Sequence, residues 1–293
     1  MEKTNFHDEI AKNKLKSVVL MIFIFIAFLL LGYVISYITN PGNFFFVMII
    51  SIVVSISYIL ISYYNSDKIA LASVGAKPAS PILQKQLYDV IEGLSLASGL
   101  PMPKIYVMNN NQINAFASGR DPKHAVICVT TGCLEKLNKQ ELEGVLAHEM
   151  SHIANFDVRF MTLTAVMVGM ISIASEIFLR SLWFSRSDDR ENKNAILIVA
   201  GILLAILAPL FASLVQLAIS RKREFGADAT GVKFARSTTG LLNALKKIKN
   251  DQPMRVPKAM ASLFLSDPFK RKFTNLFSTH PNLDDRIRIL QRM

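Results

Sequence analysis

The chain has 293 residues, of which 51% are hydrophobic and only 19% charged, with a mean hydropathy of +0.34 and a formal net charge of +11. So apolar a composition excludes a disordered chain, and the charge falls below the ~25% of an ordinary soluble domain. Two cysteines, Cys128 and Cys133, exclude a disulfide scaffold, and nothing around them resembles a Cys-rich metal site. A membrane protein leads.

From the N-terminus, residues 1–17 are mixed in charge and include Lys12, Lys14 and Lys16, whereas residues 18–64 carry no charge. Val18–Ile38 and Phe44–Tyr64 each reach the ~20 apolar residues that cross a bilayer as a helix. Between them, Thr39–Asn43 holds an Asn-Pro-Gly turn. The first run exceeds the ~7–15 residues of a signal-peptide core, has no small-residue cleavage site and is followed at once by the second. A retained transmembrane hairpin is expected.

Residues 65–160 balance nine basic against nine acidic side chains and read as a folded polar module. Leu83, Leu87, Val90, Ile91 and Leu94 recur at helical spacing after Pro81, and Ser98, Gly99 and Pro101 stop that helix. Lys104–Met108, Ile113–Ser118 and Ala125–Thr130 are short strand patterns. A helix runs from Lys139 through Leu142, Val145 and Leu146 toward Ile153.

Met161–Leu179, apolar except for Glu176, and Ala195–Ile219, charge-free with Pro209 inside it, form a second apolar pair. Arg180–Asn194 links them. Residues 220–293 then carry a net charge of +10, nearly the whole excess. That charge is either a solvated face or an attraction to an anionic membrane surface; no nucleic-acid motif accompanies it. Lys12, Lys14 and Lys16 before the first span and Arg221, Lys222 and Arg223 after the last place both termini and residues 65–160 in the cytoplasm. Arg180, Arg186, Arg190 and Lys193 pull the linker mildly the other way.

On the helix from Lys139 lies His148-Glu149-Met150-Ser151-His152, the H-E-x-x-H pattern. A spacing of four puts both imidazoles on one helix face, about one turn apart, where they can share one metal ion. Glu149, rotated by about 100°, can reach a water beside that ion. Neutral imidazoles suit Zn²⁺, and a carboxylate can accept the water's proton. His7 and His124 lack such spacing and read as surface residues. A tetrahedral ion needs a third protein ligand, for which Glu224 is the best candidate; Asp228, four residues on, can hold a ligand histidine's other nitrogen.

The segments His148–Asp157 and Arg221–Asp228, Asn114-Ala115-Phe116-Ala117, and Ser278–Pro281 with Arg286 together resemble the HtpX family of bacterial membrane zinc metalloproteases, relatives of the CAAX prenyl endopeptidases. The similarity runs in order over nearly the whole chain. It implies a mostly α membrane protein with four transmembrane helices and a cytoplasmic α+β, zincin-like metalloprotease domain. The parts would be residues 1–64 (first hairpin), 65–160 (zinc helix), 161–219 (second hairpin) and 220–293 (third ligand). It further implies a zinc endopeptidase of the bacterial plasma membrane that degrades misfolded or damaged membrane proteins, with one Zn²⁺ per chain on His148, His152 and Glu224. Glu149 would be the catalytic base, Asn114, Ala115, Phe116 and Ala117 the edge strand that receives substrate, and His280 a group for the oxyanion or the substrate. Phe156 stands where many members have glycine.

Rival readings are weaker. An intramembrane protease needs an acid inside a late span, and Ala195–Ile219 has none. A chaperone or scaffold keeping a structural zinc does not need Glu149. For a transporter, Glu176 is the one intramembrane acid, but Arg180 lies four residues on and suits an interfacial ion pair.

Overall fold

The computed structural model describes residues 6–39, 42, 44–167, 169, 221–269 and 281–293. The stretch of the second apolar pair between residues 170 and 219, the Arg180–Asn194 linker, Glu176 and His280 lie outside the described residues.

Two long helices, α1 (Phe6–Thr39) and α2 (Phe44–Tyr64), form the expected hairpin. Both are long and apolar enough to cross a membrane, at Ile10–Leu30 and Phe44–Tyr64, and only 6% of the α2 span is buried within the protein. A soluble core helix would be covered; this one leaves Phe45, Phe46, Ile49 and Val53 outside and turns Ser55 and Ser62 inward. Apolar side chains outside and hydroxyls inside suit a lipid solvent.

A short α3 (Ser66–Ser73) leads to a four-stranded sheet flanked by α4 (Lys85–Ser98). The strands are β1 (Lys77–Pro78), β2 (Lys104–Met108), β3 (Ala115–Gly119) and β4 (Ala125–Thr130), in the order β1-β2-β4-β3. β2 and β4 are parallel, while β1 and β3 run antiparallel to their neighbours, with Phe116 opposite Cys128. The anticipated third strand therefore exists, starting at Ala115 rather than Ile113. After α5 (Thr131–Lys136) comes α6 (Lys139–Ala154), the expected zinc helix. Its start is fixed by a capping box: Asn138 Oδ1 accepts from the Glu141 amide, and Glu141 Oε2 accepts from the Asn138 amide, both at 2.9 Å.

α6 is buried along nearly its whole length, because one face of the sheet, α4, α7 (Arg221–Ala235) and α8 (Thr239–Asn250) all pack on it. Small residues allow these close crossings. A Cβ on Gly144 would fall 2.2 Å from the Leu241 nitrogen, and one on Gly231 would fall 2.9 Å from the His148 nitrogen. The second of these lets α7 lie against α6 at the motif itself. On the other face of the sheet, Phe116, Val126 and Cys128 pack with Leu71, Met161, Met260 and Phe264. Leu20 and Ile24 of α1 pack against Phe160, Leu163 and Met167, so the first membrane helix rests on the helix at 157–167. A last helix, α9 (Leu283–Leu290), closes over α7.

Candidate metal centre

His148 and His152 project from one face of α6, with their Nε2 atoms 3.2 Å apart. From the first turn of α7, Glu224 brings Oε2 to 3.7 Å from His148 Nε2 and Oε1 to 3.7 Å from His152 Nε2. The three ligand atoms all lie within 4.8 Å of one another, and all three residues are buried. Nitrogens bound at ~2.0–2.1 Å in a tetrahedral site stand about 3.3 Å apart, so this spacing fits one ion. Two imidazoles and a carboxylate are also a donor set that suits Zn²⁺.

The outer ring nitrogens are held by acids. Asp228 Oδ1 lies 2.9 Å from His148 Nδ1, and Asp157 Oδ2 lies 3.1 Å from His152 Nδ1. With each Nδ1–H donated to a carboxylate, both Nε2 lone pairs face the common point. Glu149 is 1% exposed, and its Oε1 has no hydrogen-bond partner among the described residues. A buried carboxylate oxygen left so is costly unless a water or an ion answers it.

Arg286, fully buried, grips the acid behind His148. Its Nε donates to Asp228 Oδ2 at 2.9 Å and its Nη2 to Asp228 Oδ1 at 2.6 Å. Its Nη1 donates to the Leu265 carbonyl at 2.8 Å and lies 3.7 Å from Glu224 Oε2.

Residues 81–293 match the family described as Peptidase family M48. The chain belongs to peptidase family M48. Over 300 residues it is 42% identical to the protease HtpX homolog of Caldanaerobacter subterraneus subsp. tengcongensis, spanning 100% of this chain and 99% of that one. The protease HtpX homolog of Ligilactobacillus salivarius is 37% identical over 298 residues, spanning 98% and 99%. The crystal structure of S. mikatae Ste24p aligns at 21% identity with a TM-score of 0.49, over 96% of this chain and 65% of that chain, under two thirds of its length. The HtpX resemblance and the metalloprotease class read from the sequence both stand.

The electrostatics of this M48 site follow from crowding acids in a dry place. Burial first, then the Arg286 charge, pushes His148 down to about 4, against the pull of Asp228. Burial is also the largest influence on His152, but its hydrogen bond to Asp157 and the charges of Glu224, Asp157 and Glu149 outweigh it and lift the ring to about 9. The same field that favours a proton there favours a cation shared by the three ligands. Burial raises Glu149 to about 7, Glu224 adding to the shift and His152 opposing it. Burial works against the charge of Asp228, yet Arg286 and His148 prevail and bring it to about 2.

The structure thus brings together His148, Glu149, His152, Glu224 and Asp228, all named from the sequence. β3, which carries Ala115, Phe116 and Ala117, is an edge strand of the sheet, and Asn114 precedes it. All four residues are buried, and part of the edge is occupied by the chain itself. The Leu265 amide donates to the Ala115 carbonyl at 2.8 Å, Phe264 bridges Phe116, and the Asn114 side chain meets the Ser266 backbone. His124 pairs with Asp121 on the surface, far from a metal role. Asp157 and the function of Arg286 were missed. Asp157 closes the very segment that carries the HtpX resemblance, which is the signal that could have found it.

Proposed function

We propose that this M48 metalloprotease is a multi-pass zinc endopeptidase of the bacterial plasma membrane. Its catalytic part faces the cytoplasm, and its substrates are misfolded or damaged membrane proteins. The convergence of His148, His152 and Glu224 beside Glu149, whose Oε1 has no partner among the described residues, carries this reading.

A Zn²⁺ bound there supplies Lewis acidity, lowering a water's pKa toward ~7 and polarising the scissile carbonyl. The chain's own groups do the rest. Asp228 and Asp157 keep the Nε2 atoms of His148 and His152 turned to the ligand point. Glu149 takes the proton of the attacking water and passes it to the leaving amine. An extended substrate would lie along the outer edge of β3, where its backbone can pair with the strand. Since the Asn114 carbonyl bonds to β4 and the Ala115 carbonyl to Leu265, strand alternation turns the Ala117 carbonyl outward, and the proposed pairing uses it as an acceptor. The Ala117 backbone also forms a hydrogen bond that restrains the Glu149 shift, which sets this part of the edge beside the base. His280 is proposed, on the resemblance alone, to steady the oxyanion. The apolar hairpin, packed on the helix at 157–167, holds the site at the bilayer, where damaged membrane proteins are found.

The test is digestion of casein and of an unfolded membrane protein by the solubilised full chain. Wild type should cleave and stop when chelated. Glu149→Gln should keep its zinc but lose about 10²–10⁴ in rate, the share expected of a general base. Cleavage near the wild-type rate by Glu149→Gln, with contaminating proteases excluded, would overturn the assignment.

A further inference from the structure

α1 does more than anchor the chain. Asn13 lies on its N-terminal flank between exposed Lys12 and Lys14, yet is itself only 1% exposed. Its Nδ2 donates to Asp157 Oδ1 at 2.7 Å and to the Asn155 carbonyl at 3.1 Å. The other oxygen of the same carboxylate, Asp157 Oδ2, is the one that holds His152 Nδ1. Asn13 is 144 residues from Asp157 in sequence, so folding α1 onto the catalytic part is what makes this contact.

The remaining contacts of this face only dock the helix. Lys14 Nζ sits 4.6 Å over the Phe156 ring, Ser17 Oγ bonds back to the Asn13 carbonyl, and Leu20 and Ile24 fill the apolar seam. Of the contacts described for this face, it is that of Asn13 that reaches the acid behind a ligand. A carboxylate tied through one oxygen can still swing about its Cβ–Cγ bond; tied through both, it holds the imidazole plane that it faces. The Asn155 bond adds a second anchor, at the end of the zinc helix.

We infer that Asn13 is a positioning residue of the metal centre: it fixes Asp157, which fixes His152, so that one contact from the first membrane helix tunes the affinity for the ion. This rests on the reading of His152 as a zinc ligand.

The experiment measures zinc affinity of the solubilised full-length protein by chelator competition, with thermal unfolding alongside. Losing a partner of a ligand histidine weakens metal binding about 10–100-fold, and one step further out we expect about 3–10-fold for Asn13→Ala. Asn13→Leu, close in volume, should show the same loss and serves if the alanine variant does not fold. Ile24→Ala opens the same seam about three turns away; it should lower Tm and leave zinc affinity unchanged. In an Asp157→Ala background, Asn13→Ala should cost nothing further, because its route is already cut. Wild-type affinity in both Asn13 variants, or losses that simply add to that of Asp157→Ala, would overturn the inference while leaving the zinc site standing. If the wild type takes up no zinc, or His152→Ala binds it as tightly, the zinc reading itself fails and the inference with it.

Discussion

Arg286 and Asp228 hold each other through two hydrogen bonds, at 2.6 and 2.9 Å, with the side chain of the first fully buried and that of the second 1% exposed. Because Asp228 Oδ1 also meets His148, this pair links the last helix to the zinc helix. Removing one partner of a buried ion pair strands the other charge in a medium that cannot solvate it, at a cost of about 3–5 kcal/mol. Arg286→Ala should therefore unfold well below wild type in a denaturant titration of the solubilised protein. Arg286→Lys keeps the charge but not the two-pronged grip, and should fall between them. If Arg286→Ala is as stable as wild type, the pair is not a structural clamp.

For the metal centre, we expect about one Zn²⁺ per chain by elemental analysis, lost in His148→Ala, His152→Ala and Glu224→Ala. Asp228→Asn and Asp157→Asn keep the ligands but weaken the hold on their rings, so affinity should fall by about 10–100-fold. Full zinc content in Glu224→Ala would remove Glu224 from the ligand set.

What could be read beforehand, and what could not, divides by the range of the interaction. α4, α6 and three of the strands are written in local periodicity. His148, Glu149 and His152 are one helix turn, and Asp228 stands one turn from Glu224. Asp157 escaped because helical phasing carries a residue five places past His152 off the ligand face. It returns only because Phe156 adopts φ 58°, a left-handed conformation that breaks the helix. Glycine takes that conformation more readily, so Phe156 holds a strained bend that the site depends on. Arg286 belongs to the residues that carry the HtpX resemblance, but no spacing tells its role; its burial comes from α7 and α9 meeting. Asn13 and the Leu265 cover of β3 are contacts between distant segments, and no spacing rule announces them.

Topology gives a prediction of another kind. In the proposed orientation, which follows from the charge-free runs and the lysines before the first of them, the end of α2 lies on the cytoplasmic side. Tyr63 and Tyr64 stand at that end, with the guanidinium of Arg159 over one ring and that of Arg120 over the other, each at 5.2 Å. Amphipathic tyrosines met by arginines from the polar module suit a membrane–water boundary. A reporter fused after Ser66 should read as cytoplasmic and one near Pro41 as external. The reverse pattern would invert the proposed orientation.

The approach to β3 is pinned by Asp251, and this gives a pH signature. At the end of α8, Asp251 Oδ2 accepts from the Ile113 amide at 2.6 Å, and Oδ1 accepts from Lys136 Nζ at 2.9 Å. Burial works against its charge, but Lys136 and the Ile113 and Gln252 amides outweigh that and hold the carboxyl below its ordinary value. A group whose pKa is lower folded than unfolded contributes stability above the unfolded value of about 3.9, and loses it as pH falls through the folded value. The Lys136 side chain is 40% exposed and its ion pair is screened by water, so most of the effect should come from the amide bonds. Asp251→Asn should thus cost about 1–2 kcal/mol at pH 7, the scale of hydrogen bonds to a charged acceptor. Below about pH 4 the unfolded chain takes up its proton first, so the gap between the two proteins should narrow there and close only once pH falls below the folded carboxyl's own, lower value. Urea unfolding at pH 7 and pH 3.5, with chelator present throughout so that loss of metal does not enter the comparison, measures both gaps. A gap of the same size at both pH values would mean that Asp251 acts by shape and not by charge.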